Sequence, residues 1–135
     1  MLAWRLPKDG IEDVGLPGHS TCLHSAMCFA NFEVVLALLE SGAKPDVTDV
    51  IGMDVFMGAC IFGRLDNVKM WLARYKNWNI NRANTQFGGT ALSNAVYFGP
   101  RKLELVKFLI EEANANTHFR THSGSSLIIL AACPV

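Results

Sequence analysis

The chain repeats itself. A hydroxyl or acidic residue, an aliphatic or aromatic residue two places on and Ala three beyond that occur as Thr21, Leu23 and Ala26. The set recurs as Asp54, Phe56 and Ala59, 33 residues later, and as Thr90, Leu92 and Ala95 after another 36. A looser copy, Ser125, Leu127 and Leu130, opens after another 35. Nine residues past each of the first three starts stands a small residue: Ala30, Gly63 and Gly99. Self-similarity at this period means one supersecondary unit stacked on copies of itself, each burying a face that it cannot bury alone.

The unit reads as a pair of helices. Thr21, Asp54, Thr90 and Ser125 are residue types whose side chains accept a hydrogen bond from an orphan amide of a first helical turn, so each is expected to cap an inner helix. Leu23/Ala26, Phe56/Ala59 and Leu92/Ala95 are spaced three apart, as on one buried helix face. After the small residue a second stripe follows: Val35, Leu38, Leu39; Val68, Trp71, Leu72; and Val106, Leu109, Ile110. That spacing predicts an outer helix packed on the first. Gly42 is placed to end the first outer helix in the left-handed conformation. Turn-forming stretches close each pair: 46–52, 81–89 and 116–124. The extra residues of the longer units fall in connections, around Pro100-Arg101 and within Ala73 to Gly89, where stacked repeats tolerate them.

These residues resemble the ankyrin repeat family. Thr21-Cys-Leu-His-Ser-Ala26 stands where the family reads Thr-Pro-Leu-His-x-Ala. Gly42-Ala43-Lys44-Pro45-Asp46 stands for its Gly-Ala-x-x-Asn, and Asp49-Val50-Ile51-Gly52 for its Asp-x-x-Gly. The similarity runs from about residue 18 to 133. It departs from the pattern in places: no unit has Pro at the first helical position, only the first has the His, and the second lacks Gly at its outer-helix end. The resemblance implies an all-α fold, an α-solenoid of stacked helix–turn–helix repeats joined by hairpin-like loops. The expected division is 1–17 as a lead-in or the tail of an earlier repeat, 18–50, 51–84 and 85–120 as three repeats, and 121–135 as an incomplete fourth. It also implies that His24 braces a hairpin and a helix start.

Composition narrows the function classes. Twelve basic and twelve acidic residues cancel to a formal charge of zero, which argues against a phosphate-backbone binder and against attraction to an anionic membrane surface. The longest apolar stretch, Leu127 to Cys133, is far short of the ~20 residues of a membrane helix. The start reaches charge too early for a secretory signal. The expected setting is therefore intracellular and cytoplasmic, with Cys22, Cys28, Cys60 and Cys133 reduced. No nucleic-acid or membrane partner is expected.

Chemistry-bearing residues do not assemble into a site. Cys22-x-His24 with Cys28, and His118 with His122, look like parts of a zinc site, but they lie about three repeats apart in a stack whose units touch only their neighbours. Cys60 falls at a small core position, and Cys22 at a helix start lacks a base placed beside it by the repeat. No Gly-rich loop follows a strand and opens a helix, and Gly88-Gly89-Thr90 reads as a hairpin tip before a cap. The expectation is a chain with no enzymatic activity, no cofactor and no metal.

What remains is surface. By the resemblance, partners are met by the two residues before each small residue and by the hairpin tips: Cys28 with Phe29, Ile61 with Phe62, Tyr97 with Phe98, then Val50, Ile51 and Met53 at one tip and Thr85, Gln86 and Phe87 at the next. Phe29, Phe62 and Phe98 share one repeat position, so stacking would align them in an aromatic ridge. Exposed apolar patches mark interaction sites and aromatic anchors dominate them, although a ridge can also serve only to stiffen the stack. The expected partner is another protein presenting an apolar helix or an extended segment, with self-association through the uncapped last repeat as a further possibility. The expected function is non-catalytic protein–protein recognition through the concave groove and hairpin tips. The alternative is a targeting or scaffolding segment of a larger protein whose enzymatic activity lies elsewhere.

Overall fold

A computed structural model describes residues 21–97 and 103–132. The lead-in 1–17, Phe98, Gly99, the Pro100-Arg101 connection and Cys133 lie outside the described residues. The described residues form seven α-helices in order: α1 (Cys22–Phe29), α2 (Phe32–Glu40), α3 (Val55–Ile61), α4 (Leu65–Arg74), α5 (Ala91–Tyr97), α6 (Leu103–Lys107) and α7 (Leu127–Ala132). A π-helical turn, Phe108–Glu112, continues α6. Inner helices stack α1 on α3, α3 on α5 and α5 on α7, while α2, α4 and α6 each lie against the inner helix of their own unit. The fold is the all-α stack of helix pairs that the repeat spacing predicts, with the described hairpin connections making only an isolated bridge, Thr48 to Asp54.

Local chemistry starts each inner helix where the repeat says it should. Thr21 caps α1 in a reciprocal box with His24. Asp54 Oδ1 accepts from Met57 N at 2.8 Å, and Thr90 Oγ1 from Ser93 N at 3.3 Å. The fourth cap is a correction: it is Ser126, whose Oγ accepts from Ile129 N at 3.4 Å. Ser125 closes the preceding hairpin instead, exchanging backbone and side-chain bonds with Thr121. The true frame in that unit is therefore Ser126, Ile128 and Ala131, one residue later than expected.

The core is one cluster running through the stack, and Leu23, Phe56, Trp71, Leu92, Leu105 and Leu109 are its deepest large side chains. Two outer-helix expectations shift. Leu38 and Leu39 are half-buried, with Phe32 and Val35 carrying the interior of that helix. In the third unit Leu105 and Leu109 are buried, Val106 is half-buried and Ile110 is exposed. The π-turn begins at Phe108, and the chain leaves it through Asn114 at φ 56°, a left-handed position that Asn tolerates better than most residues. The first outer helix ends as expected. Gly42 sits at φ 107° while Gly42 N and Ala43 N bond back to the carbonyls of Leu39 and Leu38, both at 3.1 Å, the double bond of a Schellman ending.

Neighbouring units are also tied by polar groups. His24 Nδ1 accepts from the Thr21 backbone N–H at 3.1 Å, and Nε2 donates to the Met53 carbonyl at 3.0 Å, so one ring joins a helix start to the next hairpin. At the other end of α1, Asn67 Nδ2 donates to the carbonyls of Met27 at 3.0 Å and Ala30 at 2.9 Å. Arg64 adds donors to Cys28 and Ala30, at 3.4 Å and 2.9 Å. Carbonyls that a helix end leaves orphaned are thus satisfied by the outer helix of the following unit. Hairpin tips stack by single backbone bonds, Thr85 N to Ile51 O and His122 N to Phe87 O, both 2.8 Å.

Candidate functional site

The stacking of α1 on α3 brings together the residues before the first two small residues, Ala30 and Gly63. Phe29 ends α1 and Phe62 follows α3 directly. Their rings meet at 4.7 Å between centroids, tilted by 59°, within the range of a favourable aromatic pair. They nonetheless remain 68% and 44% exposed. Ile61 and Tyr97, one place before, are half-buried, Ile61 against the core. Phe98, the third member expected in this row, lies outside the described residues.

The tips divide. Val50 is exposed at the first tip, and Gln86 and Phe87 are exposed at the second. Ile51 is half-buried and packs on the core. Met53 is a correction: at 8% exposure it belongs to the core, its carbonyl held by His24 and its sulfur approached by Asn94 Nδ2 at 3.6 Å. The hairpin turns back at Gly52, so the residue after it already enters the stack. In the fourth unit Ile128 is 81% exposed at the position that buries Leu23, Phe56 and Leu92 in the other three.

Two thiols, Cys28 and Cys60, are held in their protonated form. Burial pushes Cys28 up to about 11, with the nearby Arg64 guanidinium pulling the other way. Cys60 is pushed well above the ordinary thiol range by burial first and by the negative charge of Asp54 second. Nucleophilic cysteines need the opposite shift. Among the described residues no three His, Cys, Asp or Glu side chains gather as a metal site would require. None of the described helices is long and apolar enough to cross a membrane.

Asp54 is the one fully buried carboxylate described here, capping α3 where the first and third units use Thr. Its Oδ2 has no hydrogen-bond partner among the described residues and stands 3.6 Å from Arg82 Nη1. Burial raises its carboxyl above the ordinary value, opposed by the Met57 N–H and then by Arg82. The folded state therefore binds this proton more tightly than the unfolded chain does. The stabilisation is full below the unfolded value and is lost as pH rises through the raised folded one. Asn caps as well as Asp and carries no charge, so Asp54→Asn is expected to raise the melting temperature at pH 7, and its advantage over wild type should shrink toward pH 4. A variant less stable than wild type at pH 7 would mean that the Arg82 pair outweighs the burial.

The inner-helix position between cap and Ala differs by unit: Ser25, Gly58 and Asn94. Asn94 was not singled out by the sequence, since a repeat motif treats its position as free. It lines a cavity of about 680 Å³ between the second and third hairpins. Arg64 and Asn67 were missed as well. Polar residues on an outer helix read as surface, and the one signal was Asn67 standing directly before the core Val68.

A search of curated proteins finds no match. A family model for the ankyrin repeat matches residues 19–50, and a model for ankyrin repeats in many copies matches residues 56–110. The two stretches take in α1 to α5, the caps Thr21 and Thr90 and the exposed Phe29–Phe62 pair, and together they cover more than half of the sequence. The chain belongs to the ankyrin repeat family.

Proposed function

We propose that this chain is a non-catalytic recognition module that binds a protein partner on its concave side, anchored by Phe29 and Phe62. Ankyrin repeats are in general protein–protein interaction modules, and the family is typically non-catalytic. The observation that carries the finer reading is the aromatic pair itself. Two phenyl rings already in contact across a repeat junction leave large areas of both in water. A ring needed only to stiffen the stack would be covered by it. Val50 and Phe87 extend the apolar surface to the tips, and a neutral chain suits a partner that offers an apolar helix or extended segment rather than a charged tail.

The test is a double substitution. Phe29→Ser with Phe62→Ser is expected to abolish capture of a partner held by the wild type, at ~2 kcal/mol or more for each ring lost from a hot spot. Helical circular dichroism and the melting temperature should stay near wild type. A variant that melts early would assign the rings to the packing, and one that still captures the partner at full strength would move the anchor elsewhere.

A further inference from the structure

The cavity between the second and third hairpins has features that the repeat does not require. Its wall is built from Gln86, Phe87 and Gly89 of one tip, Ser93, Asn94 and Tyr97 of α5, the hairpin 121–125, and Leu130 of α7. None of the described residues that line it is Asp, Glu, Lys or Arg. The frame is held by His122, whose backbone N–H donates to the Phe87 carbonyl and whose Nδ1 donates to the Gln86 carbonyl at 3.2 Å. Ser93 spends its hydroxyl hydrogen on the Thr90 carbonyl at 2.8 Å and keeps only acceptor capacity toward the cavity.

Asn94 is different. It is 2% exposed, and its side chain makes one hydrogen bond among the described residues, a long one from Nδ2 to the Met53 sulfur, at 3.6 Å. Its carbonyl oxygen and second N–H have no partner among the described residues. The oxygen is not one of the enclosed, unpartnered polar atoms of the core, so it keeps its acceptor capacity at the cavity wall. The missing side chain at Gly89 keeps it within reach, because a methyl group there would stand 3.4 Å from the Asn94 oxygen and 2.9 Å from Ser93 Oγ. The first two units carry Ser25 and Gly58 at this position, so the helix pair does not demand an amide.

We propose that this cavity reads an uncharged, extended peptide segment, Asn94 pairing with one of its backbone amide units while Phe87, Tyr97 and Leu130 receive an aromatic side chain beside it. The proposal deepens the reading of the chain as a protein-binding module and rests on it. A side-chain amide offers a donor and an acceptor in one plane, matching the acceptor and donor of a peptide unit. The cavity is of the size that encloses ligands of ~300–1,000 Å³ sites, room for a ring and the peptide units on either side of it. A charged side chain placed there would lose its water with no opposite charge to replace it.

The probe is N-acetyl-L-tryptophan amide, a neutral aromatic residue with a peptide unit on each side, titrated into the nitrogen-15-labelled chain and followed by amide NMR. Saturable shifts are expected at Ser93, Asn94, Tyr97 and His122, with Kd on the order of 1 mM for so small a ligand. N-acetyl-L-tryptophan, which ends in a carboxylate, and N-acetyl-L-lysine amide should bind at least ~10-fold more weakly. Asn94→Leu should remove the shifts. Phe87→Ser, at an exposed tip, should do the same and serves if the buried substitution fails to fold. The proposal is overturned by no saturable shift at ~10 mM probe, by equal binding of the carboxylate, or by a folded Asn94→Leu that binds as wild type does. Shifts confined to Phe29 and Phe62 would sink the cavity and leave the aromatic anchor standing. The Phe29→Ser/Phe62→Ser chain keeps the cavity, so it is expected to bind the probe unchanged even if it never captures a partner.

Discussion

Trp71→Ala is expected to lower the unfolding free energy by ~3–5 kcal/mol, the range for emptying a buried aromatic site. Trp71 is fully buried in α4 and is the largest of the side chains enclosed in the core. Tyr75 lies tilted against it at 4.7 Å and Trp78 meets it edge-on at 5.3 Å, so the hole would open under two further rings that hold the outer side of the second unit. A domain of this size is stable by only ~5–15 kcal/mol. One substitution therefore consumes a large share of the total. Chemical denaturation followed by circular dichroism gives the number without depending on tryptophan emission. Trp78→Ala, at a half-buried site, is the smaller companion, and equal losses from the two would contradict the arrangement of the cluster.

The second large effect is expected at a backbone position. Gly52 turns the first hairpin at φ 78°. A methyl group on it would lie 2.8 Å from the Thr85 backbone nitrogen and 2.9 Å from Thr85 Cγ2. That nitrogen is the donor to Ile51 O that joins the two tips. Gly52→Ala therefore adds a steric displacement and a broken bond to the left-handed strain, ~2–4 kcal/mol together. Gly42→Ala provides the control, because Gly42 is also left-handed but has no atom within 4 Å of the added methyl. It should cost only the strain, ~1 kcal/mol. Denaturation midpoints of the two variants measure the difference, and equal losses would show that the tip contact contributes nothing.

The fold was legible because a repeat is read by comparison with itself. Thr21, Asp54 and Thr90 announce their helices as capping residues, and Gly42 announces an ending, since both are local chemistry with a residue-type signature. The fourth cap slipped by one residue at Ser125-Ser126, where two neighbouring hydroxyls fit the pattern and only the hairpin bond of Ser125 to Thr121 decides between them. Met53 was misplaced for a similar reason: the turn ends at Gly52, and a tip residue by sequence becomes a core residue by geometry. The surface was legible in part. Phe29 and Phe62 follow from register, whereas Asn94, Arg64 and Asn67 act through groups 34 to 41 residues away, a separation at which no local pattern operates.

The grip of the second outer helix on the end of α1 also sets an order of events. Met27 and the Asn67 that satisfies its carbonyl are 40 positions apart. A ribosome adding ~5–20 residues per second makes the helix ~2–8 seconds before it makes the side chain that completes it. During that wait the last carbonyls of α1 have only water to accept from. The first repeat is thus written first and finished second, and the smallest piece of this protein able to close its own hydrogen bonds is a pair of repeats rather than one.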